Sequence, residues 1–248
     1  MNGDFSGKRA LVTGSTRGIG AAVAALVHRG GGEVIWHGRE ADAAGRAALT
    51  GGIVVAGDLA DRDACRRIAA EVGAVDVLIN CAGVLLDAPV GETTEALWDT
   101  TMAVNLTGAW LLSRALLPAL RARRGVIVNV ASDAAFLGYA NSAAYCASKG
   151  ALVGLTKALA VELAPDVRAI AVCPGPVATD MMRQSIDIQP DPAAAARSWA
   201  EPTMLRRVAT AEEIAEVIVF AASSRASYMT GDIILADGGA TAGRRVGL

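Results

Sequence analysis

Thr13-Gly14-Ser15-Thr16-Arg17-Gly18-Ile19-Gly20 decides the fold of this chain, because its three glycines stand between an apolar run and a helical pattern. Residues 9–13 read as a buried strand and residues 19–28 as an amphipathic helix. Glycines at such a junction allow a tight turn and let the backbone approach a pyrophosphate. The helix that follows presents free N–H groups and a partial positive charge to an anion. The spacing is G-x-x-x-G-x-G rather than the commoner G-x-G-x-x-G. For this stretch alone, a glycine-rich turn without a ligand is the alternative.

Outward from that turn, apolar runs rich in Val and Ile recur at residues 33–37, 53–57, 75–80, 125–131, 167–173 and 232–235. Helical patterns lie among them at residues 61–72, 94–120, 142–163 and 211–221. This alternation argues for the α/β class, a doubly wound, seven-stranded parallel sheet with helices on both faces. No linker, repeat or low-complexity tract interrupts the 248 residues, so one domain spanning 1–248 is expected. The rhythm breaks at about 176–210, after Pro174-Gly175-Pro176. A long excursion beyond the carboxyl end of a strand lies where open α/β sheets bind ligands, and a substrate lid is expected there. A plain surface excursion with short helices is the alternative.

The hydrophobic fraction is 53% with only 4% aromatic, so the core is built from Ala, Val, Leu and Ile, which suits buried parallel strands. A formal charge of −2 gives no reason to expect a nucleic acid or a membrane surface as partner. Cys65, Cys81, Cys146 and Cys173 are scattered without a C-x-x-C pair, so neither a metal site nor a disulfide framework is expected. That usage fits a reducing compartment, and no run approaches 18 apolar residues, so a cytoplasmic location is expected. His28 and His37 lack matching ligand spacing and are assigned neither to a metal nor to catalysis.

Tyr145-Cys146-Ala147-Ser148-Lys149 carries the candidate chemistry. Residues i and i+4 share a helix face, so an ammonium can stand beside a phenol. A neighbouring cation favours the phenolate and lowers its pKa, preparing the group for acid/base work.

These motifs, in this order, resemble the short-chain dehydrogenase/reductase family, nearest in pattern to its 3-oxoacyl-carrier-protein reductase-like ketoreductases. The family's T-G-x-x-x-G-x-G is residues 13–20, and its N-N-A-G is Asn80-Cys81-Ala82-Gly83, with Cys81 departing from the second Asn. Its active-site Asn matches Asn105, its Ser matches Ser132, and its Y-x-x-x-K is Tyr145 with Lys149. Pro174-Gly175, Ala226–Gly231 and Asp237-Gly238-Gly239 match further signatures. The resemblance implies a Rossmann fold and an oxidoreductase that interconverts a ketone and a secondary alcohol by hydride transfer. It assigns Tyr145 as general acid/base, Lys149 as its tuning cation, Ser132 as a carbonyl donor and Asn105 as a water anchor. Cofactor contacts are implied at Gly14, Ser15, Thr16, Arg17, Gly18, Ile19, Gly20, Asp58, Leu59, Asn80, Ala82, Gly83, Tyr145, Lys149, Pro174, Gly175, Val177 and Thr179.

The second strand ends in His37-Gly38-Arg39, with Gly38 where an NAD-selecting Asp would stand. The Arg39 guanidinium suits a 2′-phosphate, with Arg17 in reach, so NADPH is favoured and NADH is the alternative. Glu40 is expected in solvent. On the substrate side, Ser132, Tyr145, Ala134, Met181 and Met182 are expected to contact a small ketone or alcohol. Phe136, Leu137, Ile186, Ile188, Trp199, Met204 and Leu205 are further wall candidates. Apolar helices at 94–120 and 142–163 suggest a homo-oligomer, which the resemblance makes a tetramer, with a dimer as the alternative. An NAD-dependent alcohol or polyol dehydrogenase and a non-catalytic dinucleotide-binding regulator are the competing readings.

Overall fold

Alternation of strand residues between two apolar layers builds this fold, seen in a computed structural model that describes residues 4–39, 52–187 and 191–243. Strands β1 (Arg9–Val12), β2 (Glu33–Gly38), β3 (Ile53–Ala56), β4 (Val77–Asn80), β5 (Val126–Val130), β6 (Arg168–Pro174) and β7 (Ile233–Ala236) form one sheet in the order β3-β2-β1-β4-β5-β6-β7. Every pairing is parallel. Val12, Ile79 and Val128 face one layer, where α1 (Gly18–Arg29) packs against α8 (Ala211–Ala222). Leu11, Leu78 and Ile127, each one residue away, face the other. That layer holds α2 (Arg62–Val72), α4 (Gly108–Ala122) and α5 (Ala143–Leu163). Each fully buried Leu or Ile stabilises the fold by about 1.5–3 kcal/mol.

The chain leaves β1 for β2 and β3, then returns to the other side of β1 to form β4. The crossovers therefore diverge at the carboxyl ends of β1 and β4, opening a crevice where such sheets bind ligands.

The pattern at 94–120 predicts one helix, and the structure divides it. Helix α3 (Glu95–Met102) runs into a π-helical turn, Ala103–Thr107, which leads into α4. By length and composition Glu95–Ala122 could cross a membrane, yet Leu111, Leu112, Leu116 and Leu120 are buried in the second layer of this fold. In the excursion after β6, Val177 bridges Ala209 in parallel fashion, closing the neck of a loop that carries α6 (Asp180–Asp187) and α7 (Pro192–Ala200). Glu40 and Ile188 lie outside the described residues.

Candidate active site

The glycine turn is held by close backbone contact. Gly14 has φ +66°, and a Cβ there would lie 2.9 Å from Ala82 Cα, so the turn rests directly on the segment after β4. A Cβ on Gly20 would collide with the Gly14 carbonyl. His37, buried at the end of β2, accepts from Gly14 N–H at 3.2 Å through Nδ1, and its Nε2–H then donates to the Gly57 carbonyl at 3.1 Å. Burial lowers the His37 pKa, keeping the ring neutral and that tautomer pattern intact. At the start of α1, Arg17 makes no side-chain cap and no acid stands in the first turn, which suits an anion approaching the helix N-terminus.

Two residues expected to touch a cofactor stand behind the wall instead. Ser15 is fully buried; its Oγ accepts from His37 N–H at 2.9 Å, and its own N–H donates to the His37 carbonyl. Asn80 is buried at the end of β4 and donates to Asn129 Oδ1 at 2.8 Å, while Asn129 donates to Thr156. Both side chains are held by sheet and turn, the Ser15 hydroxyl by His37 and the Asn80 amide N–H by Asn129, while Asn80 Oδ1 is left buried without a partner among the described residues.

The carboxyl ends of the strands open into a cleft of about 330 Å³. Gly14, Thr16, Arg17, Gly18, Ile19, Gly20, Gly38, Arg39, Asp58 and Leu59 line one part of it. Ala82, Gly83, Ser132, Tyr145, Lys149, Pro174, Gly175, Val177 and Thr179 line it as well, with Thr179 beside Gly18 and Ala82 beside Gly14. Arg17 and Arg39 are exposed and, among the described residues, their side chains make no hydrogen bond or ion pair.

Tyr145 and Lys149 share one face of α5, with the Nζ 5.6 Å from the Tyr ring centroid. The buried ammonium donates to the Val130 carbonyl at the end of β5, at 2.9 Å. Burial pushes the Lys149 pKa down to about 8 and the Tyr145 phenol up to about 12, a hydrogen bond with Ser132 working against the latter. The lowering of the phenol expected from Lys149 does not result here, because burial, the largest influence on both groups, disfavours the charged form of each. Asn105 sits in the π-turn and does not line the cleft. Its Oδ1 accepts from Val84 N–H at 2.8 Å, and its Nδ2 donates to the Val84 carbonyl and to Ser148 Oγ at 3.1 Å. Asn105 therefore ties the segment after β4 to α5, and a Cβ on Gly83 would lie within 3.5 Å of both Asn105 Oδ1 and Lys149 Nζ.

On the substrate side, Ala134, Met181, Met182 and Trp199 line the cleft. Phe136 and Leu205 are exposed, and Met204 packs under Gly239; these residues, with Leu137 and Ile186, do not line it. Cys81 is on the wall, and burial pushes its thiol up to about 12, so it is no nucleophile near neutral pH. Arg183 and Arg207, near the lid, are paired with Asp180 and Glu213.

Sequence reasoning missed three contributors. His37 braces the glycine turn, and only its place at the end of a strand beside that turn signals it. Asp133, next to Ser132, accepts from Ser132 Oγ at 3.0 Å and from Tyr139 Oη at 2.8 Å. Tyr139 in turn stacks on Trp199 of α7 with centroids 6.3 Å apart. No periodicity announces that chain of contacts.

A family model described as enoyl-(acyl carrier protein) reductase matches residues 14–241. The chain is 38% identical to a 2-(S)-hydroxypropyl-CoM dehydrogenase of Xanthobacter autotrophicus, over 93% of this chain and 95% of that protein. It is also 38% identical to the L-xylulose reductase of Bos taurus, over 95% and 97% of the two chains. Among solved structures, a proposed NAD(P)-dependent gluconate 5-dehydrogenase from Beutenbergia cavernae, with NADP bound at low occupancy, superimposes with a TM-score of 0.90. That pair is 37% identical, with 98% of this chain and 100% of the other covered. With a seven-stranded parallel sheet, a glycine turn at its switch point and these relatives along nearly its whole length, the chain belongs to the NAD(P)-dependent oxidoreductases of the short-chain dehydrogenase/reductase family.

Proposed function

We propose that the enzyme is an NADPH-dependent carbonyl reductase that interconverts a ketone and a secondary alcohol, with Tyr145 as general acid/base. The observation that carries this reading is the convergence of Ser132, Tyr145 and Lys149 on one cleft, with two unpaired guanidiniums, Arg17 and Arg39, lining the same cleft. The residues fit a dinucleotide. The turn at Gly14 and Gly20 has no room for side chains, the start of α1 is uncapped by a side chain, and the end of β2 offers Gly38 without a carboxylate. Gly14, Thr16, Arg17, Gly18, Ile19 and Gly20 would hold the phosphates, and Arg39 with Arg17 a 2′-phosphate. Asp58, Leu59, Ala82 and Gly83 would border the adenosine, and Pro174, Gly175, Val177 and Thr179 the nicotinamide.

When bound, the nicotinamide supplies the hydride. Tyr145 gives a proton to the carbonyl oxygen, and its high pKa keeps it protonated for that task. Ser132 offers a second hydrogen bond at the same oxygen. Lys149 holds positive charge below the phenol and, titrating near 8, is the group in the cleft placed to return a proton to it. Asn105 positions α5 against the segment after β4. The excursion at 176–210 acts as a lid on this single domain, its Met181, Met182 and Trp199 presenting an apolar, adaptable wall.

The bovine relative's name, a reductase, and the NADP in the solved relative support this direction and cofactor. Exposed Trp98, Trp110 and Val161 on α3, α4 and α5 support a helical interface and a homotetramer. Four free cysteines support a cytoplasmic location. Absorbance at the nicotinamide band, with NADPH or NADH and a panel of ketones and β-ketoacyl thioesters, tests the reading. Oxidation of NADPH well ahead of NADH is expected. Preference for NADH would move an NAD-dependent alcohol dehydrogenase to the front, and tight binding without turnover would favour a regulator.

A further inference from the structure

Ser132 is tied through one carboxylate to a pair of aromatic rings. Tyr139 and Trp199 both line the cleft, each half-buried, and stack with centroids 6.3 Å apart and planes inclined by 29°. Tyr139 Oη donates to Asp133 Oδ2 at 2.8 Å, and Asp133 Oδ1 bonds to Ser132 Oγ at 3.0 Å. Asp133 is buried, so the rings are anchored within a few bonds of the hydroxyl assigned to the carbonyl oxygen. Trp199 comes from α7, while Met181 and Met182 of α6 line the same cleft. The excursion is held at a second point as well. Ser185 of α6 donates to Asp87 Oδ2 at 3.4 Å, and Asp87 Oδ1 accepts from Ser142 Oγ at 2.6 Å. With ties on both of its helices, this wall is formed before a substrate arrives, which lowers the cost of binding.

The chemistry of the wall favours one kind of substituent. A substrate ring packed on Tyr139 or Trp199 gains aromatic contact beyond the area it buries. The thioethers of Met181 and Met182 add sulfur–aromatic contact. A saturated group of the same shape gains the area alone. The wall suits a polyhydroxylated chain poorly, because the Tyr139 and Ser142 hydroxyls already donate to Asp133 and Asp87. Building on the activity proposed above, we infer that Tyr139 and Trp199 are specificity-determining residues that fit the site to a ketone carrying an apolar aromatic ring, in preference to an alkyl ketone or a ketose.

The test uses benzylacetone and its ring-saturated cyclohexyl counterpart, which share chain length and have the ring insulated from the carbonyl by two methylenes. Each is reduced with NADPH and compared by kcat/KM, with a ketopentose as the third substrate. The native enzyme is expected to prefer the phenyl ketone by about threefold to tenfold, the range of an aromatic pair. Trp199→Leu and Tyr139→Leu should bring that ratio close to one, and Tyr139→Phe, which keeps the ring, should retain it. A variant that merely loosened the fold would slow both ketones alike and leave the ratio unchanged, which overturns the inference. A native ratio near one, or a ketopentose reduced faster than the phenyl ketone, overturns it too. Loss of the ratio in Tyr139→Phe as complete as in Tyr139→Leu would mean that the hydroxyl rather than the aromatic face is read, and the inference fails. A second readout needs no turnover: calorimetric binding of the two corresponding alcohols to Tyr145→Phe loaded with oxidised cofactor, with and without Trp199→Leu. The same ratio, and its loss with Trp199, is expected there. If the native enzyme reduces no ketone, the proposed activity fails, while this binding ratio still decides what Tyr139 and Trp199 select.

Discussion

Lys149 Nζ lies 5.6 Å from the centroid of the Tyr145 ring, yet its hydrogen bond goes to the Val130 carbonyl at 2.9 Å. Helix spacing brings the two side chains to one face, and β5 supplies the acceptor that holds the ammonium. Lys149 is buried and Tyr145 half-buried on the cleft wall, so each is pushed toward its neutral form, the phenol to about 12 and the amine to about 8.

Removing the phenol oxygen should separate chemistry from binding. Tyr145→Phe is expected to lose about 10²–10⁴-fold in kcat, the range for a positioned general acid. Its affinity for NADPH, followed by fluorescence quenching, should stay within about threefold. A variant that turned over at the native rate would remove Tyr145 from the mechanism.

The same burial makes Lys149 a cost to stability. Its pKa is about 8 in the fold against an ordinary value of 10.5, so between those values the unfolded chain binds a proton that the folded chain does not. Stability therefore rises with pH across that window, and below about 8 the full penalty stands, about 3 kcal/mol at 1.36 kcal/mol per pH unit. Tyr145 acts in the opposite sense: held near 12 against 10, it lowers stability as pH rises from 10 to 12. Lys149→Met should be inactive yet more resistant to urea at pH 6–7, with its advantage over native protein shrinking toward pH 10.5. Urea midpoints at the two pH values check this, and an advantage that stayed constant would contradict it.

At the end of β2, Arg39→Ala should raise KM for NADPH about tenfold, as expected for the loss of a charge-assisted pair worth about 1.5 kcal/mol, and leave KM for NADH unchanged. Gly38→Asp should turn preference toward NADH by placing a carboxylate at that strand end. Equal effects on both cofactors would show that neither residue reads the 2′ position.

His37→Leu leaves the Gly14 N–H and the Gly57 carbonyl without the partners the ring provides. Orphaning these groups should cost about 2 kcal/mol of stability in urea and weaken NADPH binding together with it. Because burial lowers the His37 pKa, native NADPH affinity should show no His titration between pH 6.5 and 8. A titration there would mean that the ring charges in the fold.

Much of this protein could be read from its sequence because the relevant signals are local. The seven apolar runs all became strands, since alternate residues such as Leu11 and Val12 must bury on opposite faces of a sheet. The glycine turn and the Tyr145–Lys149 spacing were equally legible, being set by backbone sterics and helical period. Tertiary structure decided where polar side chains spend their hydrogen bonds. It turned Ser15 and Asn80 inward, divided the helix at Asn105, and paired Ser132 with Asp133 and Lys149 with the Val130 carbonyl. Those partners come from segments distant in sequence or from rotamer choices within a buried site. Desolvation, which sets the pKa values of Tyr145 and Lys149, exists only once the layers have closed around them.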